Sequence, residues 1–144
     1  VEWSPTSNIV GTLTVGDGVH IHDLDSNTQT TIGSGSLVFD FAWSNDGTQI
    51  VATDDNVLKI WDMSGSLVHA FPQHDERLYK VEWVSDVIIV QEEGGKLYVW
   101  DAITYQLVNI MQTEGNWTVT PDGKQVTSRG RDGNLSFLPV NRSG

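Results

Sequence analysis

Two histidines in Val19-His20-Ile21-His22-Asp23 stand at i and i+2, which puts both imidazoles on one face of a β-strand. With Asp23 they offer the nitrogen and oxygen donors of a zinc site. Against that, His22 closes a strand where other segments of the chain carry a tryptophan, so a packed or hydrogen-bonded imidazole is expected and no metal. Asp17, Asp23 and Asp25 fit no calcium-loop spacing. Acyl transfer needs a nucleophile, a base and an orienting group. The remaining histidines, His69 in an outer strand and His74 in a loop, gather no such set, so no catalytic residue and no cofactor are expected. No glycine-rich phosphate loop is present. Sequons at Asn116, Asn134 and Asn141 are weak signs of secretion, because the first two fall on predicted strands and a chain rich in Ser and Thr matches the pattern by chance.

Composition narrows the remaining classes. Without cysteine, disulfides and thiolate sites are excluded. Asp and Glu number 19 against 8 Lys and Arg, a formal charge of −11 that repels nucleic acid and anionic membrane surfaces and favours basic partners. No stretch approaches the roughly 20 consecutive apolar residues that a membrane helix needs. At 38% hydrophobic and 19% charged residues, the 144-residue chain has the composition of a folded globular domain. Its start at Val1, with no leader pattern, leads us to expect a segment of something longer.

The positioning elements come from an internal repeat. Asn56-Val57-Leu58-Lys59-Ile60-Trp61-Asp62 is an alternating strand closed by Trp-Asp, and Gly95-Lys96-Leu97-Tyr98-Val99-Trp100-Asp101 repeats it. Weaker copies end at His22-Asp23 and Leu138, so this marker falls at 22, 61, 100 and 138, spaced 39, 39 and 38. A second marker, Trp3, Trp43 and Trp83, is spaced by 40, with Trp117 following after 34. Each Trp closes a first strand at one phase of the repeat and is expected to pack between sheets.

Every unit breaks into short runs of strand type separated by turn residues, with no sustained helical period. In the second unit the predicted strands are Val38 to Trp43, Gln49 to Thr53, Val57 to Trp61 and Leu67 to Phe71, joined at Ser44-Asn45-Asp46-Gly47, Asp54-Asp55-Asn56 and Ser64-Gly65. The fourth unit has Asn116 to Val119, Lys124 to Arg129 and Asn134 to Leu138, and is expected to stop before Pro139, which cannot donate to a ladder. The unit boundaries are about 1–37, 38–77, 78–115 and 116–144.

With period, strand pattern and the pairs Trp61-Asp62 and Trp100-Asp101 in agreement, the chain resembles the WD-repeat (WD40) β-propeller family over essentially its whole length. The resemblance implies an all-β fold of four-stranded antiparallel blades, four of them present and the last incomplete, about half a propeller. It implies a non-catalytic, cytoplasmic scaffold for protein partners, within a large assembly such as a transport or coat complex. The alternative is a sensor or enzyme-associated propeller with a small ligand in its central channel, for which Glu2, Asp40, Lys80 and Glu82 are the charged candidates. The family's His, Ser/Thr, Asp and Trp tie is kept whole in no unit. Val90 and Gly94 take two of its places beside His74 and Trp100, and Leu138 takes the Trp place beside Ser128 and Asp132, so the blades are expected to rest mainly on apolar packing.

The resemblance also places certain turns on one rim, where partners bind: Asp54, Asp55, His74, Asp75, Glu76, Arg77, Glu92, Glu93, Arg129 and Arg131. A basic peptide or loop suits that mostly acidic set, although Asp, Asn and Gly in turns are also what turn geometry alone selects. Terminal blades leave open faces. Further blades of a longer chain, or a second copy, are expected to cover them.

Overall fold

The structure, a computed structural model, describes residues 1–140, so the Asn141 sequon lies outside the described residues. The strands form four antiparallel sheets, each a meander of sequential neighbours. Blade 1 is β1 (Glu2–Trp3), β2 (Ile9–Thr14), β3 (Gly18–Asp23) and β4 (Thr28–Ile32). Blade 2 is β5 (Phe41–Trp43), β6 (Gln49–Asp54), β7 (Val57–Asp62) and β8 (Leu67–Ala70). Blade 3 is β9 (Leu78–Val84), β10 (Val87–Glu92), β11 (Lys96–Asp101) and β12 (Leu107–Gln112), and blade 4 has three strands, β13 (Trp117–Val119), β14 (Gln125–Arg129) and β15 (Leu135–Pro139). Among the described residues no helix is long and apolar enough to cross a membrane.

Three apolar clusters sit between consecutive blades. Val19, Ile21, Phe41, Trp43, Ile50 and Trp61 join blades 1 and 2; Val51, Ile60, Phe71, Val81, Ile88 and Trp100 join blades 2 and 3; Ile89, Val99, Trp117, Val119 and Val126 join blades 3 and 4. Strand alternation explains this division, because successive residues of a buried strand point to opposite faces and each face meets a different neighbour. Trp43, opposite Ile50 and through it Trp61, points back at blade 1; Trp83, opposite Ile88 and Trp100, points back at blade 2. Gly11 makes room for the first of these contacts, since a Cβ there would lie 2.8 Å from the Phe41 ring. Gly11→Ala is therefore expected to cost about 1–2 kcal/mol through overpacking, read as a lower urea midpoint with an unchanged slope.

The register corrects the second sequence marker. Val119 lies opposite Val126 and, through it, Leu138, as Trp43 lies opposite Ile50 and Trp61. Val119 thus holds the place of Trp43 and Trp83. Trp117 sits two residues earlier, in the place of Phe41 and Val81, which accounts for two of the six residues by which its spacing falls short of 40. It is still buried, and its Nε1 donates to Gln91 Oε1 of blade 3 at 2.7 Å. Trp3 departs further: it is 59% exposed, with no blade before blade 1 among the described residues. Trp83 is only partly buried.

Two strand ends also differ. The first strand of blade 2 begins at Phe41 rather than Val38, because the Phe39 and Asp40 amides donate to Thr53 Oγ1 instead of a ladder, at 3.0 and 3.3 Å. β15 runs through Pro139, opposite Gln125; it is the outermost strand of its sheet, so the missing N–H breaks no ladder. The Asp of each Trp-Asp pair closes a turn: Asp62 Oδ1 accepts from the Ser64 and Ser66 amides, and Asp101 Oδ1 from those of Ile103 and Thr104.

Candidate functional site

The rim residues separate into three groups. Asp54 and Asp55 flank the turn between β6 and β7, where Asp55 takes a left-handed backbone (φ 54°) that Asp tolerates better than most residues. Asp54 accepts from the Leu37 amide at 3.1 Å and from Lys59 Nζ at 2.7 Å. Burial pushes its carboxyl up, but these hydrogen bonds outweigh it and hold the group below the usual carboxylate range. Asp55 pairs with Arg77 Nε at 3.1 Å, which raises the already high guanidinium value. Both acids are thus partnered by bases, which charge counting along the sequence did not show.

His74 and Glu92 are withdrawn from the surface, at 6% and 3% exposure, a correction to their expected place on an open rim. His74 Nδ1 stands 3.6 Å from Glu92 Oε2, and the His74 ring meets the edges of Tyr98 and Trp100. Glu92 reaches in from the end of β10 and supplies the acid that Gly94 cannot. His74 Nε2, Glu92 Oε2 and Trp100 Nε1 are buried without a hydrogen-bond partner. Burial lowers the His74 value, and attraction to Glu92 only partly opposes it. In blade 4, Ser128 Oγ shares a buried 2.7 Å hydrogen bond with Thr113 Oγ1, so polar ties persist in altered form beside the apolar packing.

Asp75, Glu76 and Glu93 make up the third group. All three are exposed, and none forms an ion pair among the described residues. Asp75 and Glu76 precede Arg77 in its loop and the Glu93 amide donates to the Arg77 carbonyl, and Arg77 covers a platform that sequence reasoning missed. Arg77 lies 5.3 Å over the Phe39 ring, Phe39 meets Tyr79 edge-on at 5.5 Å, and Tyr79 is 40% exposed. The signal was legible: residues 39 and 79 are aromatics one period apart. Arg131 stands elsewhere, in a cleft of about 400 Å³ with Gln91, Gln112, Glu114 and Asn116 between blades 3 and 4. Arg129 ends β14 opposite Leu135, with its guanidinium beside Gly133 in the turn that leads into β15.

The channel candidates are largely occupied. Asp40 Oδ2 accepts from the Val81 amide at 2.9 Å, and Glu82 accepts from the Val119 amide at 3.2 Å and from Thr118 Oγ1 at 2.9 Å. Each carboxylate ties one blade's inner strand to the next. Lys80 donates to the Trp117 carbonyl and lies 4.4 Å over its ring. Burial first, then repulsion by Asp40, raises the Glu2 value. In blade 1, His20 bridges Asp17 and Thr31 at 3.1 Å each, and His22 Nε2 meets Thr12 Oγ1 at 3.3 Å; no group of metal-ligating residues forms among the described residues.

Repeated four-stranded meanders packed face to face through aromatic residues define a β-propeller. The chain belongs to the WD40-repeat family: the family model of the anaphase-promoting complex subunit 4 WD40 domain matches residues 1–86. Topless-related protein 3 of Arabidopsis thaliana is 30% identical over 90 residues, 56% of this chain and 8% of the relative. Topless-related protein 2 of the same plant is 27% identical over 89 residues, with the same coverage. Among solved structures, a chain of the mitotic checkpoint complex superposes with a TM-score of 0.75 at 19% identity, covering 94% of this chain and 45% of that one. The C-terminal WD40 domain of Sif2 gives 0.76 at 18%, covering 99% and 45%. This chain therefore spans less than half of the propellers it resembles and a small part of its curated relatives.

Proposed function

We propose that the chain is a non-catalytic interaction scaffold whose working surface is the rim between blades 2 and 3, where it takes a basic segment of a protein partner in a cytoplasmic assembly such as a transport or coat complex. WD40 propellers are generally protein-interaction scaffolds, and one structural neighbour is part of a protein complex. The observation that carries the rim reading is the Phe39–Tyr79 pair with Arg77 above it, in a loop where the exposed Asp75 and Glu76 precede Arg77 and the exposed Glu93 donates its amide to the Arg77 carbonyl. Aromatic anchors supply contact area at low entropic cost, and rim charge steers encounter. The channel alternative has weaker support, because Asp40, Glu82 and Lys80 already bond neighbouring strands.

A library of basic peptides tests this by binding titration at two salt concentrations. Tyr79→Ala is expected to weaken the selected peptide about tenfold to thirtyfold. Converting Asp75, Glu76 and Glu93 together to the neutral amides should slow association and flatten the salt dependence. Binding that survives both changes and is lost on Glu2→Gln places the ligand in the channel and rejects the rim.

A further inference from the structure

Three irregularities of the backbone meet around the Arg77 guanidinium. Phe39 precedes β5 and gives its amide to Thr53 Oγ1 at 3.0 Å instead of to a ladder. Asp55 is held in its left-handed turn from both sides: its N–H donates to the Leu37 carbonyl at 2.9 Å, and its carbonyl accepts from the Leu78 N–H at 2.8 Å. Tyr79 is the extra residue of a β-bulge, since Leu78 lies opposite Glu92 and Lys80 opposite Gln91. Bulges re-aim side chains, and here the Tyr79 ring meets Phe39 edge-on. A carboxylate and a braced aromatic face, drawn from separate segments, are thus fixed by backbone rather than by Arg77. Arg77 itself is held loosely. It gives Asp55 one hydrogen bond, from Nε to Oδ1 at 3.1 Å, where a guanidinium can give a carboxylate two. The two side chains are 44% and 51% exposed, and exposed ion pairs and exposed cation–π contacts each contribute little. The Arg77 carbonyl accepts from the Glu93 N–H at 2.7 Å, so its side chain can swing out while the loop stays tied.

We infer that Asp55 and Phe39, with Tyr79 bracing the Phe39 ring, form a binding site for a guanidinium, that Arg77 occupies it in the free chain, and that an arginine of the partner segment takes its place. This rests on the rim reading and narrows it from a basic segment to one that presents arginine. The occupant on the page is the argument for the ligand: the site already places a guanidinium carbon 5.3 Å over the Phe39 ring and its Nε on Asp55. Lysine is a poor substitute, because its ammonium is a compact point charge that neither lies flat on an aromatic face nor grips both carboxylate oxygens at once. Exposed Asp75 and Glu76 precede Arg77 in its loop, so the displaced side chain keeps carboxylates near it along the chain. The internal occupant sets a threshold, since a ligand's apparent affinity falls with the fraction of time the site stands open.

The test titrates the chain with N-acetylarginine methylamide and, separately, with N-acetyllysine methylamide, followed by NMR at the Phe39 and Tyr79 rings. It is run at about 0.5 M salt, where exposed charges are largely screened. Arg77→Ala should tighten the arginine derivative about fivefold to tenfold, the factor for a site that Arg77 fills about 80–90% of the time. The lysine derivative should move less than about twofold, the residue of the charge change after screening. Arg77→Gln, with a side chain that keeps its stem, should give the same gain. Adding Asp55→Asn, which suits the left-handed turn as Asp does, should reverse it. No tightening in either Arg77 variant, equal gains for both derivatives, or a gain that survives Asp55→Asn each overturns the inference. The two readings fail separately. A selected peptide that weakens on Tyr79→Ala but binds as tightly after every arginine is changed to lysine leaves the rim standing and overturns the guanidinium site. An arginine derivative held at Phe39 and Asp55, with no library peptide bound, sustains the guanidinium site and overturns the rim.

Discussion

Trp43→Ala lowers the stability of the chain by about 3–5 kcal/mol, the range for deleting a buried aromatic side chain that its surroundings cannot refill. Trp43 is 7% exposed, packs with Phe41, Ile50 and Trp61 against blade 1, and donates its indole N–H to the Glu2 carbonyl at 3.3 Å. Truncation thus empties the junction of blades 1 and 2 and removes an inter-blade hydrogen bond. Repeat folds are held by nearest-neighbour terms, so the loss is local. Amide exchange should accelerate in β1 to β4 and change little in β10 and β11, while urea unfolding reports the total. Tyr79→Ala is the control: at 40% exposure it should move stability by less than about 1 kcal/mol while weakening partner binding. A uniform exchange increase across all blades, or a cost below about 1 kcal/mol, would contradict nearest-neighbour control.

The same tryptophans show what the sequence could carry. A constant spacing is enough to recover blades, because every blade repeats one strand pattern. Neighbour identity is a different matter: Trp3 and Trp43 share a phase, yet Trp43 is buried against blade 1 while Trp3 meets no preceding blade among the described residues, a difference that no local pattern encodes. Trp117 misled for a related reason, since composition kept the residue type while the register moved it by two. At the rim, turn chemistry correctly grouped Asp54 with Asp55, but their basic partners lie at Lys59 and Arg77, five and twenty-two residues away. Glu92 was read as exposed because Glu seldom goes inside unpaired. Its burial becomes legible only once His74, from the loop before β9, is placed beside it.

That buried pair makes stability fall on acidification. His74 has a folded value below its ordinary 6.5 because burial disfavours the imidazolium. The unfolded chain therefore takes up a proton below about pH 6.5 that the folded chain resists, and stability present above that pH is lost as pH falls toward the folded value. Glu92, Asp75 and Tyr98 are the titratable groups around the ring, and Glu92 attraction limits the loss without cancelling it. His74→Leu should remove this slope between pH 7.5 and 5.5, and at pH 7.5 it should cost about 2–3 kcal/mol by leaving the Glu92 carboxyl buried without its nearest partner. Val90→Thr tests the geometry from the opposite direction. With Nδ1–H turned to Glu92, His74 Nε2 can accept from a hydroxyl whose oxygen accepts from Trp100 Nε1–H, so one group satisfies two orphaned atoms. A gain of about 1 kcal/mol is expected, with a steeper acid slope because the neutral tautomer is held more firmly. A Val90→Thr chain less stable than the parent would show that residue 90 does not reach between His74 and Trp100, and an unchanged acid slope in His74→Leu would move the titration to another group.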